Sequence, residues 1–418
     1  MIVVRYVWYY FFWSIVRIGI SFFFRKITIS GRENIPKNAP VIFGANHENA
    51  FMDALLLTTR TPRFTHYLAR ADVFNNPLLG ALLRSFNLLP IYRIRDGYSS
   101  LKSNETVFHS CFDALAKRRA LMMFPEGIHD IRRVSRKLTK GISRIALGAI
   151  NAENAPDELY VVPVGINYSD HTKFRSEAHI VYGKAIKVEK VPQEAAALDE
   201  LRLKINEEML NCTIGFDADH YELIDGLVFS SENGVDISNP KMSTELGRQF
   251  LECYQKSNHD GLDIAIDELR ESLEELGVKD VGVINSAKKT SSLLSLILMF
   301  PLYLFGLMHN LIPITIIESV LEFKVEDRTF FSSLRFAMGV LLFPLFWALE
   351  LWWFSSYSYE WWVNTLYFLS LPLSLVSMRK FHRTWSIYWA LRKYHRSEEL
   401  HETVKGSINY INKFKQNC

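Results

Sequence analysis

Apolar residues gather at the two ends of this chain, and between them strand-like and helix-like stretches alternate. Residues 1–24 (MIVVRYVWYYFFWSIVRIGISFFF) are dense in aromatics but interrupted by Arg5 and Arg17. The uncharged run 6–16 is too short to cross a hydrocarbon layer of about 30 Å. No small-residue cleavage site of a secretory signal follows it. The segment 1–25 therefore reads as N-terminal membrane-associated helices, an interfacial or re-entrant pair with Trp and Tyr at headgroup depth. A single spanning helix that tolerates Arg17 is the alternative.

Short apolar runs at 26–30, 41–45, 65–69, 88–92, 121–124, 160–166 and 179–182 predict strands, and helical patterns near 50–60, 77–86, 99–118 and 136–150 separate them. This alternation predicts an α/β domain over 26–190, with a mixed, largely parallel sheet covered by helices. Its site should lie where strands run out into helices. From 191 to 290 the chain turns polar and helical (EAAALDELRLKINEEML, GLDIAIDELRESLEELG) and reads as a helical insert or linker without chemistry.

The stretch 291–378 is membrane-like. Residues 293–323 carry Pro301 and Pro313 around His309-Asn310, residues 334–354 contain Glu350, and 361–377 completes the set. Lys288 and Lys289 precede the first stretch, Lys324 and Arg328 follow it, and Arg379 and Lys380 follow the last. If 293–323 dips in and returns near His309–Pro313, every basic flank falls on one side, as the positive-inside rule asks. The pattern thus predicts a hairpin plus two spans, an integral membrane protein with its α/β domain on the cytoplasmic face. The tail 379–418, with nine Lys and Arg against three Glu, would then lie along anionic lipid.

Composition agrees with a greasy part joined to a soluble one. The 418 residues are 49% hydrophobic and 22% charged, with net charge +3 and mean hydropathy +0.02. Disorder is excluded by the apolar fraction, and the near-neutral balance offers no nucleic-acid signal. Cys111, Cys212, Cys253 and Cys418 form no CxxC and no Cys/His pair at metal spacing, so neither a metal nor a cofactor is expected.

Candidate chemistry sits at the strand ends. In VIFGANHENAFMDALLL, His47 follows a buried strand, Asn49 is placed to cap the next helix, and Asp53 lies six positions after His47. A carboxylate beside a His holds one tautomer and stabilises the imidazolium formed on proton abstraction. Taken alone, the pair reads more readily as structural. In ALMMFPEGIHD a second strand ends in Phe124-Pro125-Glu126-Gly127, a turn that can bind an anion or simply reverse the chain. In LLPIYRIRDG, Arg93 and Arg95 share one face if the strand continues, which suits a phosphate. Pro163 interrupts the apolar strand YVVPVGINY and suggests an edge, a bulge or an opening beside a ligand. The basic run RRVSRKLTKGISRIA puts Lys137, Lys140 and Arg144 at helical spacing, either a solvated face or a phosphate site.

His47–Asp53, Arg93, Phe124–Gly127 and Val162–Val164, in that order and spacing, resemble the four blocks of the glycerolipid acyltransferase family. The likeness covers about 26–190. It implies His47 as general base and Asp53 as its orienting carboxylate. Arg93 would bind the acceptor's phosphate, Glu126 would hold the glycerol backbone with Gly127 allowing close approach, and Pro163 would shape the pocket. The implied donor is an acyl thioester, acyl-CoA or acyl carrier protein. The implied acceptor is glycerol-3-phosphate, 1-acylglycerol-3-phosphate or another lysophospholipid or lipid alcohol, with membrane lipids as partners.

Two departures stand out. Five residues rather than four separate His47 from Asp53, a spacing similar to the fungal-type glycerol-3-phosphate/dihydroxyacetone-phosphate branch. After Gly127 many members carry Thr or Ser and then Arg, whereas this chain reads Ile128-His129-Asp130; with His129 in that place, phosphate binding shifts toward Arg93, Arg95 or Lys140. The competing reading from another class is a non-catalytic lipid-binding or transport membrane protein.

Overall fold

The structure is a computed structural model and describes residues 2–92, 103–229, 236–256, 261–278, 293–357 and 360–416. Arg93, Arg95, Lys288 and Lys289 lie outside the described residues. Two compact units emerge, one comprising 1–215, 237–241 and 328–333, the other 216–236, 242–327 and 334–418.

The first unit is built on an eight-stranded sheet. Its strands are β1 (Lys26–Ser30), β2 (Val41–Ala45), β3 (Thr65–Arg70), β4 (Leu88–Ile91), β5 (Ala120–Met123), β6 (Tyr160–Tyr168), β7 (Glu177–Tyr182) and β8 (Ile186–Lys187), in the order β1-β7-β6-β2-β5-β3-β4 with β8 on β6. Neighbours from β6 through β2, β5 and β3 to β4 are parallel, and β7 and β8 pair antiparallel to β6. Helices α1 (Ile2–Phe23), α2 (Ala50–Arg60), α3 (Pro77–Ser85), α4 (Ser103–Ala116), α5 (Gly141–Asn151) and α6 (Ala195–Leu210) complete the unit.

The central strands are buried on both faces, so they read as continuous apolar runs rather than alternating ones. Every residue of β2 is buried. On one side Ile42, Leu121 and Val161 join Leu115 of α4, Ile142 and Ile145 of α5, and Ile205 and Met209 of α6. In α2, Met52, Leu56 and Leu57 are each 0% exposed, an i, i+4, i+5 stripe facing the core.

Several expectations are corrected here. The N-terminal segment is one helix, α1, rather than a pair, because no breaker interrupts 2–18. The α/β unit extends to Gly215, past the anticipated boundary at 190. Leu198, Leu201, Ile205 and Met209 fall at helical spacing and bury against the sheet-side core, so α6 is a layer of the domain and not part of an insert. Gly141 starts α5, so Lys137 and Lys140 precede the helix and the anticipated basic helical face does not form.

The second unit holds α7 (Tyr221–Phe229), α8 (Pro240–Lys256), α9 (Leu262–Leu276), α10 (Leu293–Lys324), α11 (Phe331–Ser355, after its first three residues), α12 (Trp361–Arg396) and α13 (Glu398–Gln416). Among the described residues, two stretches are long and apolar enough to cross a membrane, Leu293–Lys324 and Arg328–Ser355. The predicted hairpin is absent: α10 runs unbroken through Pro301 and Pro313. The polar pair expected at its turn is instead spent between helices. Asn310 Nδ2 donates to Ser374 Oγ at 2.9 Å, Trp347 Nε1 donates to Asn310 Oδ1 at 3.1 Å, and His309 Nδ1 lies 3.2 Å from Glu350. The orientation inferred from the basic flanks rested on that hairpin and loses its support.

The tail 379–418 is also no free arm. Helix α12 continues to Arg396, and α13 packs on α9, with Leu400, Val404, Ile411 and Phe414 buried. Lys415 is drawn against the Phe250 ring at 5.5 Å, and burial lowers its amine to about 8.

Candidate active site

The C-terminal ends of β2, β5 and β6 lie side by side, with Gly44 in register with both Met123 and Pro163. The segments leaving those strands therefore converge. Asn46 extends the β2–β6 junction, its Oδ1 accepting from Ile166 N at 2.7 Å and its Nδ2 donating to Ile166 O at 3.0 Å. His47 follows directly.

His47 Nδ1 is 2.8 Å from Asp53 Oδ2. The carboxylate is completely buried, while the imidazole keeps 18% of its side-chain surface exposed. Asp53 Oδ2 also accepts from Glu48 N at 2.9 Å and Asn49 N at 2.8 Å, and Tyr168 Oη donates to Oδ1 at 2.6 Å. Four donors thus hold one carboxylate, and one of them is the imidazole. With Nδ1 committed, Nε2 is the nitrogen left for a reactant, since it makes no hydrogen bond among the described residues. Phe124 stacks on the ring with centroids 4.1 Å apart and His129 meets it edge-on at 5.5 Å. The longer His–Asp spacing is taken up before the helix, where Glu48 and Asn49 loop around the carboxylate.

The turn at 124–127 closes by a bond from Gly127 N to Phe124 O at 3.2 Å. Gly127 has φ +74°, a conformation that disfavours any side chain. Asp130 N donates to His47 O at 3.3 Å, tying the two segments together. Glu126 does not face solvent. Its Oε2 is 2.9 Å from Arg136 Nη1, and both side chains are largely buried. Burial raises the Glu126 carboxyl to about 7 despite the guanidinium. A small cavity beside this pair is lined by Asn46, Glu48, Glu126, Arg136, Asn206 and Met209.

The remaining candidates are scattered. Lys140 Nζ pairs with Asp199 of α6 at 2.8 Å, and Lys137 is exposed. Pro163 lies inside β6, a central strand, which sets aside the expected edge. It falls between the β8 pairing at 160–161 and the β7 pairing at 164–168, and its carbonyl accepts from Gly183 N at 2.8 Å. A residue without an N–H fits there because the antiparallel ladder is already broken.

Sequence reasoning passed over a second buried pair. Glu48 Oε2 is 2.7 Å from His171 Nε2, and Asn46 Nδ2 donates to Glu48 Oε1 at 3.1 Å. Tyr168, which orients Asp53, and Arg136, which faces Glu126, were also missed. The signals were faint: a Tyr closing an apolar strand, and an Arg within a basic run.

Burial raises Glu48 to about 8. For a carboxyl whose folded value lies above its ordinary 4.5, the associated stability is fully present below that value and lost as pH rises through the folded one. Glu48 and Glu126 together make the fold weaken between about pH 5 and about pH 8. Glu48→Gln is expected to flatten this decline, read as a smaller difference between thermal midpoints at the two ends of that window. An unchanged difference would remove Glu48 from the account.

Among known proteins, the Acyltransferase family model matches residues 26–167. Glycerol-3-phosphate O-acyltransferase 2 of Saccharomyces cerevisiae is 29% identical over 170 residues, 38% of this chain and 22% of that protein. A 1-acyl-sn-glycerol-3-phosphate acyltransferase of Chlamydomonas reinhardtii is 31% identical over 127 residues, 30% of this chain and 36% of that protein. The match thus spans about a fifth to a third of these relatives' length. The crystal structure of the 1-acyl-sn-glycerophosphate acyltransferase PlsC from Thermotoga maritima aligns over 46% of this chain and 74% of its own, at 19% identity and a TM-score of 0.35. The blocks at 41–53, 120–127 and 160–168 fall on adjacent parallel strands inside or at the edge of the matched region, and residues 26–167 carry the likeness to the Acyltransferase family.

Proposed function

We propose that the protein is a membrane-associated O-acyltransferase that moves a fatty acyl group from an acyl thioester to a hydroxyl of a glycerol-phosphate acceptor. The observation that carries this reading is the His47–Asp53 pair, its carboxylate buried and its imidazole open on the Nε2 side. Nε2 takes the proton of the acceptor hydroxyl as the oxygen attacks the thioester carbon. The tetrahedral intermediate collapses with cleavage of the C–S bond, and the imidazolium returns the proton to the departing thiolate. The fixed Asp53 stabilises the transient imidazolium and keeps Nδ1 protonated. No covalent acyl-enzyme is required.

The two long apolar helices and the apolar α1 support a place at the membrane, where the acylated product belongs. Glycerol-3-phosphate and 1-acylglycerol-3-phosphate are the favoured acceptors, following the names of the relatives. Acyl-CoA and acyl carrier protein are the candidate donors.

Purified full-length protein in detergent, given one acyl-CoA, should release free thiol in step with acceptor. The panel is glycerol-3-phosphate, dihydroxyacetone phosphate, 1-acylglycerol-3-phosphate and a lysophosphodiester. Dependence on a phosphate monoester is the expected result. Thiol release indifferent to every acceptor would sink the proposal, and preference for the lysophosphodiester would move the acceptor class.

A further inference from the structure

Six residues far from the family-matched region sit against its active site. Arg328–Phe330 form a single 3-10 turn, and 331–333 begin α11. By its contacts this stretch belongs to the α/β unit, although 26–167 ends about 160 residues earlier. Ser332 and Ser333 are 1% and 0% exposed. Ser333 Oγ accepts from Met52 N at 2.9 Å and donates to Asn49 O at 3.2 Å. Ser332 Oγ donates to His171 O. Phe330 meets the ring of His129 edge-on at 5.1 Å, and that ring in turn meets His47 at 5.5 Å.

These bonds fall on the most demanding turn of the site. Helix α2 must begin so that Asp53, in its first turn, reaches His47. Its opening residue Ala50 has φ +42°, in the region that L side chains resist. Asn49, the residue predicted to cap this helix, makes no capping bond with its side chain and sends Nδ2 to His171 O at 2.8 Å instead. A first turn without its N-cap side chain frays more readily and depends on other oxygens to hold it. Ser333 adds a second acceptor from 281 positions away, serving the N–H of Met52, directly before Asp53; that N–H also donates to Asn49 O at 3.0 Å.

We propose that residues 328–333 are a strap that completes the active site, with Ser333 as a positioning residue acting on Asp53 through the first turn of α2. The proposal rests on the reading of His47 and Asp53 given above. It adds that the family-matched segment alone lacks part of what holds its catalytic pair in place. Loosening the turn lets Asp53 withdraw from His47. The imidazolium then loses its carboxylate and His47 becomes a weaker base.

The test uses full-length protein in detergent and measures kcat, KM and the pH profile of kcat/KM. Ser333→Cys preserves the side-chain volume while replacing a strong hydrogen-bonding oxygen with a weak one, so the variant keeps its packing. Ser333→Ala removes the bonds outright. The expected result is a fall in kcat of about tenfold to a hundredfold in Ser333→Ala, smaller in Ser333→Cys. KM should stay within about twofold, and the acid limb of the profile should move to lower pH in both. Unchanged kcat, or lower activity with an unmoved acid limb, would overturn the strap. If Ser333→Ala fails to fold, the Ser333→Cys profile decides by the same criterion. His47→Ala in parallel separates the two claims. Turnover retained there removes the reading of the site itself, whereas turnover lost there with an unmoved Ser333→Cys profile removes only the strap.

Discussion

His47→Ala is expected to lower kcat by about a thousandfold or more while leaving the protein folded. A positioned general base contributes on the order of 10²–10⁴, and no other described group stands ready to replace it. His129 is near, but its ring meets His47 edge-on at 5.5 Å. The imidazole makes one side-chain hydrogen bond, to Asp53, so its removal leaves a carboxylate still served by Glu48 N, Asn49 N and Tyr168. That is why the fold should survive. Asp53→Asn should cost nearly as much, because an amide in place of Oδ2 presents the wrong partner to Nδ1, to Glu48 N and to Asn49 N. The two losses should not add, since the residues act as a unit. Acceptor-dependent thiol release measures the effect, and far-UV circular dichroism checks the fold. A His47→Ala variant within tenfold of the parent would remove His47 from the mechanism.

The largest effect on stability should come from Gly165→Ala. Gly165 lies in β6 opposite Val181, and a Cβ there would fall 1.9 Å from Cys212 O and 2.4 Å from its carbonyl carbon. That backbone cannot give way cheaply. Asn167 Nδ2 donates to Cys212 O at 3.0 Å, and Ile214 N donates to Asn167 Oδ1 at 2.9 Å, so the loop after α6 is pinned to the strand. Inserting one methyl group must either break these bonds or lift the end of α6 from the core. We expect a loss of about 3 kcal/mol or more, at the upper end of overpacking costs. Denaturant unfolding of the variant reads this directly, and a midpoint equal to the parent's would show that the loop yields.

Much of this architecture is written locally. The seven longer strands lie within a few residues of the runs that predict them, because a central strand buried on both faces must be apolar throughout and each run is bounded by turn residues. The His47–Asp53 pair and the turn at Gly127 were visible for the same reason: each is a short-range pattern at the end of such a run. What surrounds them was not. The donors that fix Asp53 include Tyr168, 115 positions away, and a second acceptor for the first turn of its helix comes from Ser333. Arg136 belonged to a basic run that looked helical, yet it faces Glu126 from an irregular segment.

The same division explains the membrane-like end. Hydropathy marks which stretches are greasy, but two prolines around His309-Asn310 suit a turn and a kinked helix equally well. The choice fell to partners on other helices: Glu350, Trp347 and Ser374 supply hydrogen bonds that a continuous α10 can meet. By itself, then, the sequence determined the order of strands and helices in the α/β unit and the chemistry at two strand ends, because both are set by burial periodicity within one element. Only the tertiary structure decided which distant residues hold the His47–Asp53 pair, where the domain ends and how α10 runs. Those depend on which polar groups find partners across hundreds of residues, and no local pattern records that.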